Sequence, residues 1–451
     1  MLRLHDTALG EVASLEPREP GKVSMYVCGP TVYREPHLGH GRFALVFDVL
    51  RRYLTWTGLE VRYVSNITDV DDKIIQQAAE EGRTAEEVAR TSERIWYDAV
   101  EGLGVDRPDA DPHATDYIPQ MIELVAELAD KGVAYEISDG VYLETDRVPG
   151  YGLLARQPLE SLRAGARVDV ADEKRSALDF ALWKKAKPGE PWWESPWGPG
   201  RPGWHTECVV MSLDLLGEGF DLHGGGLDLQ FPHHENERAQ AVALGREFSR
   251  RWMHNGMLVD AQGHKMSKSV GNVISLPELL KRWDPRVYRL LVLQSHYRSP
   301  LRVGEESFEG AQETLKRLDS FARRARPVGA GVAAEPGVVA RFRTRMDSDV
   351  DTAGALAVLF DALRDANAAL DRGDPQRASP LAAAVLDLSA ALGLRARTEE
   401  EKVDAAAQEL VRRRDEARRA RDFAAADVLR DQLVARGWVV EDGPEGTRVH
   451  R

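Results

Sequence analysis

Apolar residues near the start of the chain follow the order strand, helix, strand. Residues 22–28 (KVSMYVC) predict a buried strand, and a Gly-Pro turn follows it. Apolar residues then recur at helical spacing from His37 to Thr57, and Gly58 is expected to end this helix. Residues 59–65 (LEVRYVS) predict the next strand. This order is typical of the βαβ unit of an open parallel sheet.

Similar patterns continue further along the chain. Residues 220–223 (FDLH) predict a strand that leads into three glycines, and we expect a helix to start near His233. Residues 252–259 (WMHNGMLV) predict another strand. The region from about 110 to 200 is rich in proline and tryptophan, and we interpret it as an insertion whose aromatic residues pack on the domain.

The second part of the chain has a different composition. Residues 327–340 (PVGAGVAAEPGVVA) predict a linker, the pattern after them is almost wholly helical, and the last residues return to strand, turn and strand. The predicted fold class is therefore α/β. We expect a Rossmann-like doubly wound parallel sheet in residues 1–300, a helical bundle in 301–395 and a small α/β tail in 396–451.

Capping signals mark three of the predicted helix starts. Capping boxes, in which a hydroxyl and a carboxylate three residues later bond each other's backbone, are predicted for Thr84 with Glu87 and Ser275 with Glu278. An acidic run is interpreted as the cap of a helix that starts at Lys73; it contains Asp69, Asp71 and Asp72.

Composition excludes several classes of protein. The chain of 451 residues contains two cysteines, Cys28 and Cys208, which are too few for a disulfide framework. The net charge of −13 argues against non-specific binding of nucleic acid, although local basic patches remain compatible with an RNA partner. The sequence shows no apolar run of membrane-spanning length and no export signal, so we expect a cytoplasmic protein, with monomer as the default state.

Two short motifs suit the binding of phosphates. His37, Gly39 and His40 (HLGH) lie at the predicted start of the first long helix, where backbone N–H groups and the helix dipole favour an anion. The alternative is two solvated histidines. Lys265 and Lys268 flank a small turn (KMSKS) that begins 225 residues later (265 − 40 = 225), and lysines on flexible stems suit a departing pyrophosphate. Here the alternative is an exposed basic loop.

Four further residues offer the ligand types that zinc prefers. Cys28 ends the first strand of the βαβ unit, Cys208 lies in GWHTEC, and His233 and Glu237 are four residues apart in PHHENE. On a helix this spacing places His233 and Glu237 on one face. His234 is the rival ligand, and the alternative for each cysteine is a buried thiol that binds no metal.

Taken together, HLGH and KMSKS resemble the two ATP-binding motifs of class I aminoacyl-tRNA synthetases. The resemblance to the cysteinyl-tRNA synthetase family covers essentially the whole chain, because its motifs occur in the expected order: CGPTVYREPHLGHGR, NITDVDDKII, GWHTEC, HGGGLDLQFPHHENE, GHKMSKSVGN, FDALRDAN and ARDFAAADVLRDQLVARG.

This resemblance implies a ligase that activates L-cysteine with ATP and Mg²⁺ and transfers it to the 3′ end of tRNA(Cys). It implies that one zinc ion, held by Cys28, Cys208, His233 and Glu237, recognises the substrate thiol. The charge on the transferring phosphates would be stabilised by four residues: His37, His40, Lys265 and Lys268.

Position suggests further candidates for the substrate pocket. Trp204 is expected to form a wall of the cysteine pocket, and Thr31 and Thr68 to contact the amine or carboxylate of the amino acid; the alternative for Trp204 is a core aromatic. The candidates for binding ATP are Gly39, Gly225, Gly226, Asp228 and Lys268, and the family resemblance implies that Gly225, Gly226 and Asp228 contact the adenosine.

Basic residues in the tail are candidates for contact with RNA. They form a local stripe of five arginines in an otherwise acidic chain: Arg412, Arg413, Arg414, Arg418 and Arg419. The alternative is a solvated helix face whose arginines pair with acidic residues of the same helix.

Two rival functions fit part of the same sequence. The first is the cysteine ligase of mycothiol biosynthesis, which resembles the first half of the chain and would join cysteine to a sugar amine. The second is a non-catalytic, zinc-containing paralogue that binds tRNA. The C-terminal extension disfavours the first rival, and the intact HLGH and KMSKS motifs disfavour the second.

Overall fold

A computed structural model describes residues 1–157, 173–264, 266, 274–397, 404–436, 438–443 and 446–450. The strands are β1 (Arg3–Asp6), β2 (Glu11–Ser14), β3 (Lys22–Val27), β4 (Glu60–Ser65), β5 (Ala134–Ile137), β6 (Gly140–Leu143), β7 (Phe180–Lys185), β8 (Gly200–Pro202), β9 (Leu222–Gly226), β10 (Trp252–Asn255), β11 (Leu258–Val259), β12 (Leu301–Arg302), β13 (Val439–Gly443) and β14 (Gly446–His450).

The helices of the first part are α1 (Leu38–Trp56), α2 (Asp72–Glu81), α3 (Ala85–Gly102), α4 (Ile118–Asp130), α5 (Trp204–Leu216), α6 (Glu235–Leu244), α7 (Leu276–Arg282) and α8 (Pro285–Leu293). Those of the second part are α9 (Glu305–Gly329), α10 (Pro336–Met346), α11 (Thr352–Asp371), α12 (Pro375–Ala391), α13 (Ala405–Arg419) and α14 (Phe423–Ala435).

The central sheet has four parallel strands in the order β10–β9–β3–β4. The chain crosses from β3 through α1 to β4, which is the predicted βαβ unit. It later returns to the other side of β3, so the strand order reverses there. In open parallel sheets, ligands bind at the carboxyl ends of the strands beside such a reversal. Cys28, which follows β3, lies at this edge together with the ends of β9 and β10.

Helix α1 is buried along most of its length because it packs between the sheet and the helices of the second part. Its predicted bounds agree with the structure, in which His37 is the N-cap and Thr57 the C-cap. Phe47 of α1 is fully buried against Gly224, where a Cβ atom would lie 2.3 Å from the Phe47 ring. The helix is thereby pressed against β9 and carries its N-terminus to the carboxyl edge of the sheet.

Several predicted boundaries were wrong. The strand predicted at 220–223 runs on through the glycines to Gly226, and the strand predicted at 252–259 is broken between β10 and β11. The helix expected near His233 begins with a wide turn, Gln230–His234, before α6. The linker predicted at 327–340 is shorter, because α9 continues to Gly329 and α10 starts at Pro336.

The three capping predictions had different outcomes. The capping box of Thr84 and Glu87 is confirmed, and Asp71 caps α2 by accepting a hydrogen bond from the backbone N–H of Lys73. The box of Ser275 and Glu278 was wrong. Ser275 is the N-cap of α7, but its hydroxyl makes no cap bond and donates to Glu35 at 3.2 Å instead.

The region between β4 and α5 contains an antiparallel sheet, β5–β6–β7–β8, where the sequence predicted only an aromatic-rich insertion. Trp183 is fully buried in it, whereas Trp192 is half exposed. This sheet is tied to α2 because Asp72 accepts from Lys184 of β7 and Arg201 of β8.

Most of the KMSKS motif lies outside the described residues, including Lys265, Ser267 and Lys268.

The N-terminal strand and the helical part meet at one carboxylate, Asp349. It accepts hydrogen bonds from the backbone N–H of His5, the hydroxyl of Tyr297 and the guanidinium of Arg298. In α11, Ala362 is buried and Asp361 and Arg364 form an exposed ion pair of 2.9 Å. In the described part of the chain, no helix is both long and apolar enough to cross a membrane.

A hydrogen bond connects α1 to the residue that follows α10. The hydroxyl of Tyr53 donates to Asp347 at 2.8 Å, and burial together with Asp347 raises the pKa of this phenol. We expect Tyr53→Phe to lower the free energy of unfolding by about 1.5 kcal/mol, since the ring stays packed and only a hydrogen bond to a charged group is lost.

Denaturant unfolding of both proteins measures this difference. Tyr117→Phe is the matched control, because the Tyr117 hydroxyl donates to Asp214 at 3.1 Å at an exposed position. It should cost clearly less than Tyr53→Phe. Equal losses from the two substitutions would contradict the prediction.

Candidate functional site

A cavity of about 370 Å³ opens at the carboxyl edge of the parallel sheet. Many of the predicted site residues line it. From the nucleotide candidates come His37, Gly39, His40, Gly226 and Asp228, and from the amino-acid and metal candidates come Cys28, Thr31 and Trp204. The structure thus brings together residues that are up to 200 positions apart in the sequence (228 − 28 = 200).

His37 and His40 form the first turn of α1 and cap each other. Nδ1 of His37 accepts from the backbone N–H of Gly39 at 3.0 Å, and Nδ1 of His40 accepts from the backbone N–H of His37 at 3.1 Å. Their rings stack with centroids 3.9 Å apart. A backbone N–H can only donate, so both Nδ1 atoms are unprotonated and each neutral ring carries its proton on Nε2. Two N–H donors are therefore held at the positive end of a long helix.

Cys28, Cys208, His233 and Glu237 meet beside this cavity. Sγ of Cys28 lies 3.5 Å from Sγ of Cys208 and 3.2 Å from Oε1 of Glu237. Nε2 of His233 lies 2.9 Å from the same oxygen and 3.8 Å from Sγ of Cys208. Tetrahedral zinc with bonds of about 2.0–2.3 Å needs ligand atoms about 3.3–3.8 Å apart. The donor set fits zinc, and the Cys28–Cys208 and Cys208–His233 separations lie in this range. Oε1 of Glu237 lies closer to Cys28 and His233, at hydrogen-bonding distance.

The same four side chains are strongly coupled electrostatically. Burial opposes a charge on His233, but Glu237 and Cys208 outweigh it and raise its pKa to about 10. Burial likewise opposes ionisation of Cys208, yet the hydrogen bond from Cys28 and the charge of His233 lower its pKa to about 6. His223 and His233 overcome burial and hold the pKa of Glu237 well below its usual range. This cluster favours a positive charge between a thiolate and a carboxylate, which is where a metal cation would sit.

A second layer of histidines orients these ligands. His223 donates from Nε2 to Oε2 of Glu237 at 2.5 Å, which turns Oε1 towards the cysteines. Nδ1 of His233 lies 2.9 Å from Nδ1 of His205, and burial lowers the pKa of His205 well below its usual range. The pKa of His233 is raised instead, so its Nδ1 carries a proton and donates to His205, while its Nε2 faces Cys208. Partners of this kind commonly orient metal-binding imidazoles and carboxylates.

His234, the rival ligand, belongs to an alternative group. Its Nδ1 is hydrogen-bonded to Nε2 of His254 at 2.8 Å, and with Cys28, His223 and Glu237 it forms a second cluster whose atoms also lie within 4.8 Å of one another. Two of its members, His223 and His234, are absent from the predicted tetrad. The structure alone leaves both clusters as possible metal positions.

Thr31 and Thr68 lie at different depths. Thr31 lines the cavity, while Thr68 is buried behind it and is not part of the cavity wall. The Thr68 hydroxyl donates to Glu207 at 2.7 Å and accepts from Asn66 at 3.2 Å. Oδ1 of Asn66 in turn accepts from the backbone N–H of Gly29 at 2.8 Å. Burial raises the pKa of the Glu207 carboxyl well above its usual range. Thr68 therefore serves to brace the Gly29 turn.

The glycine-rich end of β9 has two roles. A Cβ atom at Gly225 would lie 2.7 Å from the His234 ring, so this glycine is required by packing, and it does not line the cavity. Gly226 and Asp228 do line it, as does Met266, the one described residue of the KMSKS motif. The nucleotide candidates of this segment are therefore reduced to Gly226 and Asp228.

Two arginines of the stripe on α13 are engaged in contacts within the protein. Arg412 pairs with Glu409 at 2.6 Å and Glu416 at 2.5 Å, and Arg414 is buried with its guanidinium donating to Thr447. The intrahelical alternative therefore accounts for Arg412, and packing against β14 accounts for Arg414. Neither is a good candidate for contact with RNA phosphates.

Sequence reasoning missed the residues that support the site. Arg42 lines the cavity, Glu207 braces Thr68, and His205 and His223 orient the proposed ligands. His205 and Glu207 shortly precede Cys208 in GWHTEC, and that proximity was an available signal. His223 and Arg42 also stand in motifs of the family, but their roles depend on contacts with residues more than 10 positions away.

Trp204 forms a wall of the cavity and stacks on the proposed ligand His233, with ring centroids 3.9 Å apart and planes 15° apart. We expect Trp204→Ala to raise the KM for the amino-acid substrate about tenfold, because an aromatic contact of this kind is worth about 0.5–1.5 kcal/mol beyond its buried area. Trp204→Phe should lose less. The measurement is KM with bound metal determined in parallel; loss of metal from both variants would contradict a pocket role.

Comparison with known families gives a consistent result over the whole chain. Residues 14–313 match the model of the class I (C) tRNA synthetase catalytic domain, residues 341–397 the DALR domain, and residues 400–449 the cysteinyl-tRNA ligase anticodon binding domain. A cysteine–tRNA ligase from Thioalkalivibrio sulfidiphilus is 46% identical over 462 residues, with 100% of each chain covered. One from Geobacillus thermodenitrificans is 43% identical and covers 100% of this chain and 99% of its own.

Solved structures share the fold at low sequence identity. Mycobacterium tuberculosis methionyl-tRNA synthetase in complex with methionyl-adenylate superposes with a TM-score of 0.61 at 17% identity, covering 83% of this chain and 90% of that one. A ternary complex of LeuRS, tRNA and LeuAMS from Agrobacterium radiobacter gives a TM-score of 0.64 at 11% identity, with 85% of each chain covered.

The parallel sheet with its edge cavity and these likenesses define the fold of a class I aminoacyl-tRNA synthetase. Within that class, the family models and the full-length relatives decide the matter: the chain belongs to the cysteine–tRNA ligase family.

Proposed function

We propose that this protein activates L-cysteine with ATP to form cysteinyl-adenylate and transfers the cysteine to the 3′ end of tRNA(Cys). The observation that carries the proposal is a single cavity in which Cys28, of the predicted zinc tetrad, and the two histidines of α1 are neighbours. A thiol-selective position thus lies beside a phosphate-binding position. The anticodon-binding domain matched at residues 400–449 supports tRNA as the acceptor.

The proposed metal is one zinc ion held by Cys28, Cys208, His233 and Glu237. When bound, zinc would lower the pKa of the substrate thiol and coordinate it as a thiolate, which a serine hydroxyl does poorly. His223 and His205 keep Glu237 and His233 turned towards that position. The chain's own contribution is thus to fix the ligands, while Trp204 covers one side.

In the first step the cysteine carboxylate attacks the α-phosphorus of ATP, which we propose is bound with Mg²⁺, and pyrophosphate leaves. Nε2–H of His37 and of His40 donate to the phosphate oxygens as charge moves onto them. Gly226 and Asp228 are proposed to hold the adenosine. Lys265 and Lys268, which lie outside the described residues, are proposed to bind the departing pyrophosphate.

In the second step the terminal ribose hydroxyl of the tRNA attacks the adenylate carbonyl, and AMP leaves. No side-chain nucleophile is required for either step. The DALR and anticodon-binding regions are proposed to position the tRNA, with domain limits near residues 300 and 395. The sequence contains no long amphipathic seam, so we expect the protein to work as a monomer.

The test is ATP–pyrophosphate exchange with cysteine and with serine, before and after removal of metal, followed by addition of tRNA. We expect exchange with cysteine alone, loss of exchange on metal removal, recovery with zinc, and charging of tRNA(Cys). Exchange with cysteine but with no tRNA charged, and ligation to a sugar amine instead, would contradict the proposed acceptor. Absence of exchange with the metal-loaded protein would contradict catalysis.

A further inference from the structure

Arg42 is a buried arginine in the wall of the nucleotide side of the cavity. It lies on α1 two residues after His40, lines the cavity and is 1% exposed. Nη1 donates to the carbonyls of Gly256 and Met257, both at 2.8 Å. Nη2 donates to the carbonyls of His296, Tyr297 and Ser299, at 3.0 Å for Tyr297. Its Nε–H is buried and makes no hydrogen bond within the described structure.

Three of the other buried arginines face acids, whereas Arg414 donates to Thr447. Arg289 pairs with Asp48 at 2.5 Å, Arg201 with Asp72 and Glu190, and Arg238 with Glu235. Among the residues that the structure describes, no carboxylate lies within ion-pair distance of Arg42. Carbonyl dipoles bind the N–H groups of Nη1 and Nη2, but they do not cancel a unit charge. The chain therefore keeps an uncompensated positive charge inside the cavity wall.

That charge persists under ordinary conditions. Burial lowers the pKa of Arg42 to about 10, so the guanidinium remains protonated at neutral pH. The N-terminus of α1 adds to the positive potential, since its first turn contains no acidic residue. Asp228 is the one carboxylate among the described residues that line the cavity. A buried charge of this kind is costly to maintain, and a polyanionic ligand would compensate it.

We propose that Arg42 is a positioning residue whose buried, unneutralised charge makes the cavity select nucleotides by their phosphates. The inference rests on the proposed use of ATP and names a determinant that the HLGH and KMSKS motifs do not contain. Arg42 acts on the phosphates through the field in a water-poor wall, where charges interact more strongly than in bulk water. The carbonyls of the 256–257 and 296–299 segments accept hydrogen bonds from Arg42 and so keep its charge in one place.

A purely structural role predicts a different result. If Arg42 only ties two segments together, its loss should weaken adenosine and ATP alike, because both would meet the same distorted cavity. If its charge selects phosphates, the loss should grow along the series adenosine, AMP, ADP, ATP. The ratio of the dissociation constants of adenosine and ATP therefore separates the two roles, whatever happens to catalysis.

The experiment is calorimetric titration of the full-length, zinc-loaded protein with these four ligands. Arg42→Gln removes the charge but keeps an amide that can donate to a carbonyl. We expect it to weaken ATP about tenfold or more and adenosine about threefold or less. Arg42→Lys keeps the charge, so the ratio should stay near that of the unaltered protein. Arg289→Gln is the matched control, because its charge is already neutralised by Asp48, and it should leave the ratio unchanged.

An unchanged ratio of the dissociation constants of adenosine and ATP in Arg42→Gln would overturn the inference, whether both ligands bind more weakly or neither does. If Arg42→Gln does not fold, Arg42→Lys carries the test, and loss of the ratio despite the retained charge would overturn it. These outcomes are distinct from failure of the proposed function. In that case the unaltered protein itself would not bind ATP or would not catalyse cysteine-dependent exchange.

Discussion

Cys208→Ser is expected to lose most of the bound zinc and to lower kcat/KM for cysteine in ATP–pyrophosphate exchange by about 10³-fold or more. The substitution removes one of two proposed thiolate ligands and changes the side-chain volume little. Cys208 is 1% exposed and contacts Cys28 and Asn66, so its hydroxyl replacement would stay in a closed, polar pocket. Metal content per chain and exchange kinetics measure the two effects.

The same experiment distinguishes the two possible metal positions. Cys208 and His233 belong only to the predicted tetrad, whereas His223 and His234 belong only to the alternative cluster. His234→Asn is the matched control, since an amide at this position can replace Nδ1 in the bond to His254 while Nε2 is removed. We expect His234→Asn to keep its zinc. Retention of zinc by Cys208→Ser and its loss from His234→Asn would move the metal to the alternative cluster.

The zinc that we propose should also be lost from the unaltered protein in acid. Metal binding requires the cysteines as thiolates and His233 as a neutral imidazole, so protons compete with the metal. Because Glu237 and Cys208 raise the pKa of His233 to about 10, this competition already operates near neutral pH. Zinc affinity should therefore rise with pH throughout the range below 10.

The candidate ligands and phosphate-binding residues were easier to predict from the sequence than the residues that orient them. Cys208 stands in the short motif GWHTEC, and Cys28, His37 and His40 stand in motifs whose position, at a strand end or helix start, follows from local patterns. The bonds that orient them do not. Glu237 is aligned by His223, 14 residues away across the β9 turn, and no periodicity links the two (237 − 223 = 14).

Errors in the predicted fold have the same origin. The strand predicted at 220–223 continues through the glycines at 224–226, because neighbouring strands supply its backbone partners and Phe47 and His234 occupy the space that side chains would need. β10 and β11 are separated where the carbonyls of Gly256 and Met257 turn to Arg42. Both features depend on tertiary contacts, which override local propensity.

His40→Asn is expected to slow cysteine-dependent exchange by about 10²–10³-fold while leaving the stability of α1 nearly unchanged. The amide oxygen of asparagine can take the place of Nδ1 and accept from the backbone N–H of His37, so the cap is kept. The Nε2–H donor, which we propose binds the transferring phosphate, is lost. The loss should appear in kcat, because the donor acts as charge develops, and not in the affinity for cysteine.

His40→Gln is expected to have the opposite effects on the phosphate donor and on the helix cap. Its longer side chain can place an N–H near the position of Nε2 but lacks an acceptor at the position of Nδ1. We expect it to be more active than His40→Asn and less stable, by about 1 kcal/mol for the lost cap. The opposite order of activities, with asparagine the better replacement, would show that His40 matters through the helix cap. In that case His40 would be a structural feature of α1, and the phosphate contacts would have to come from His37 and the lysines.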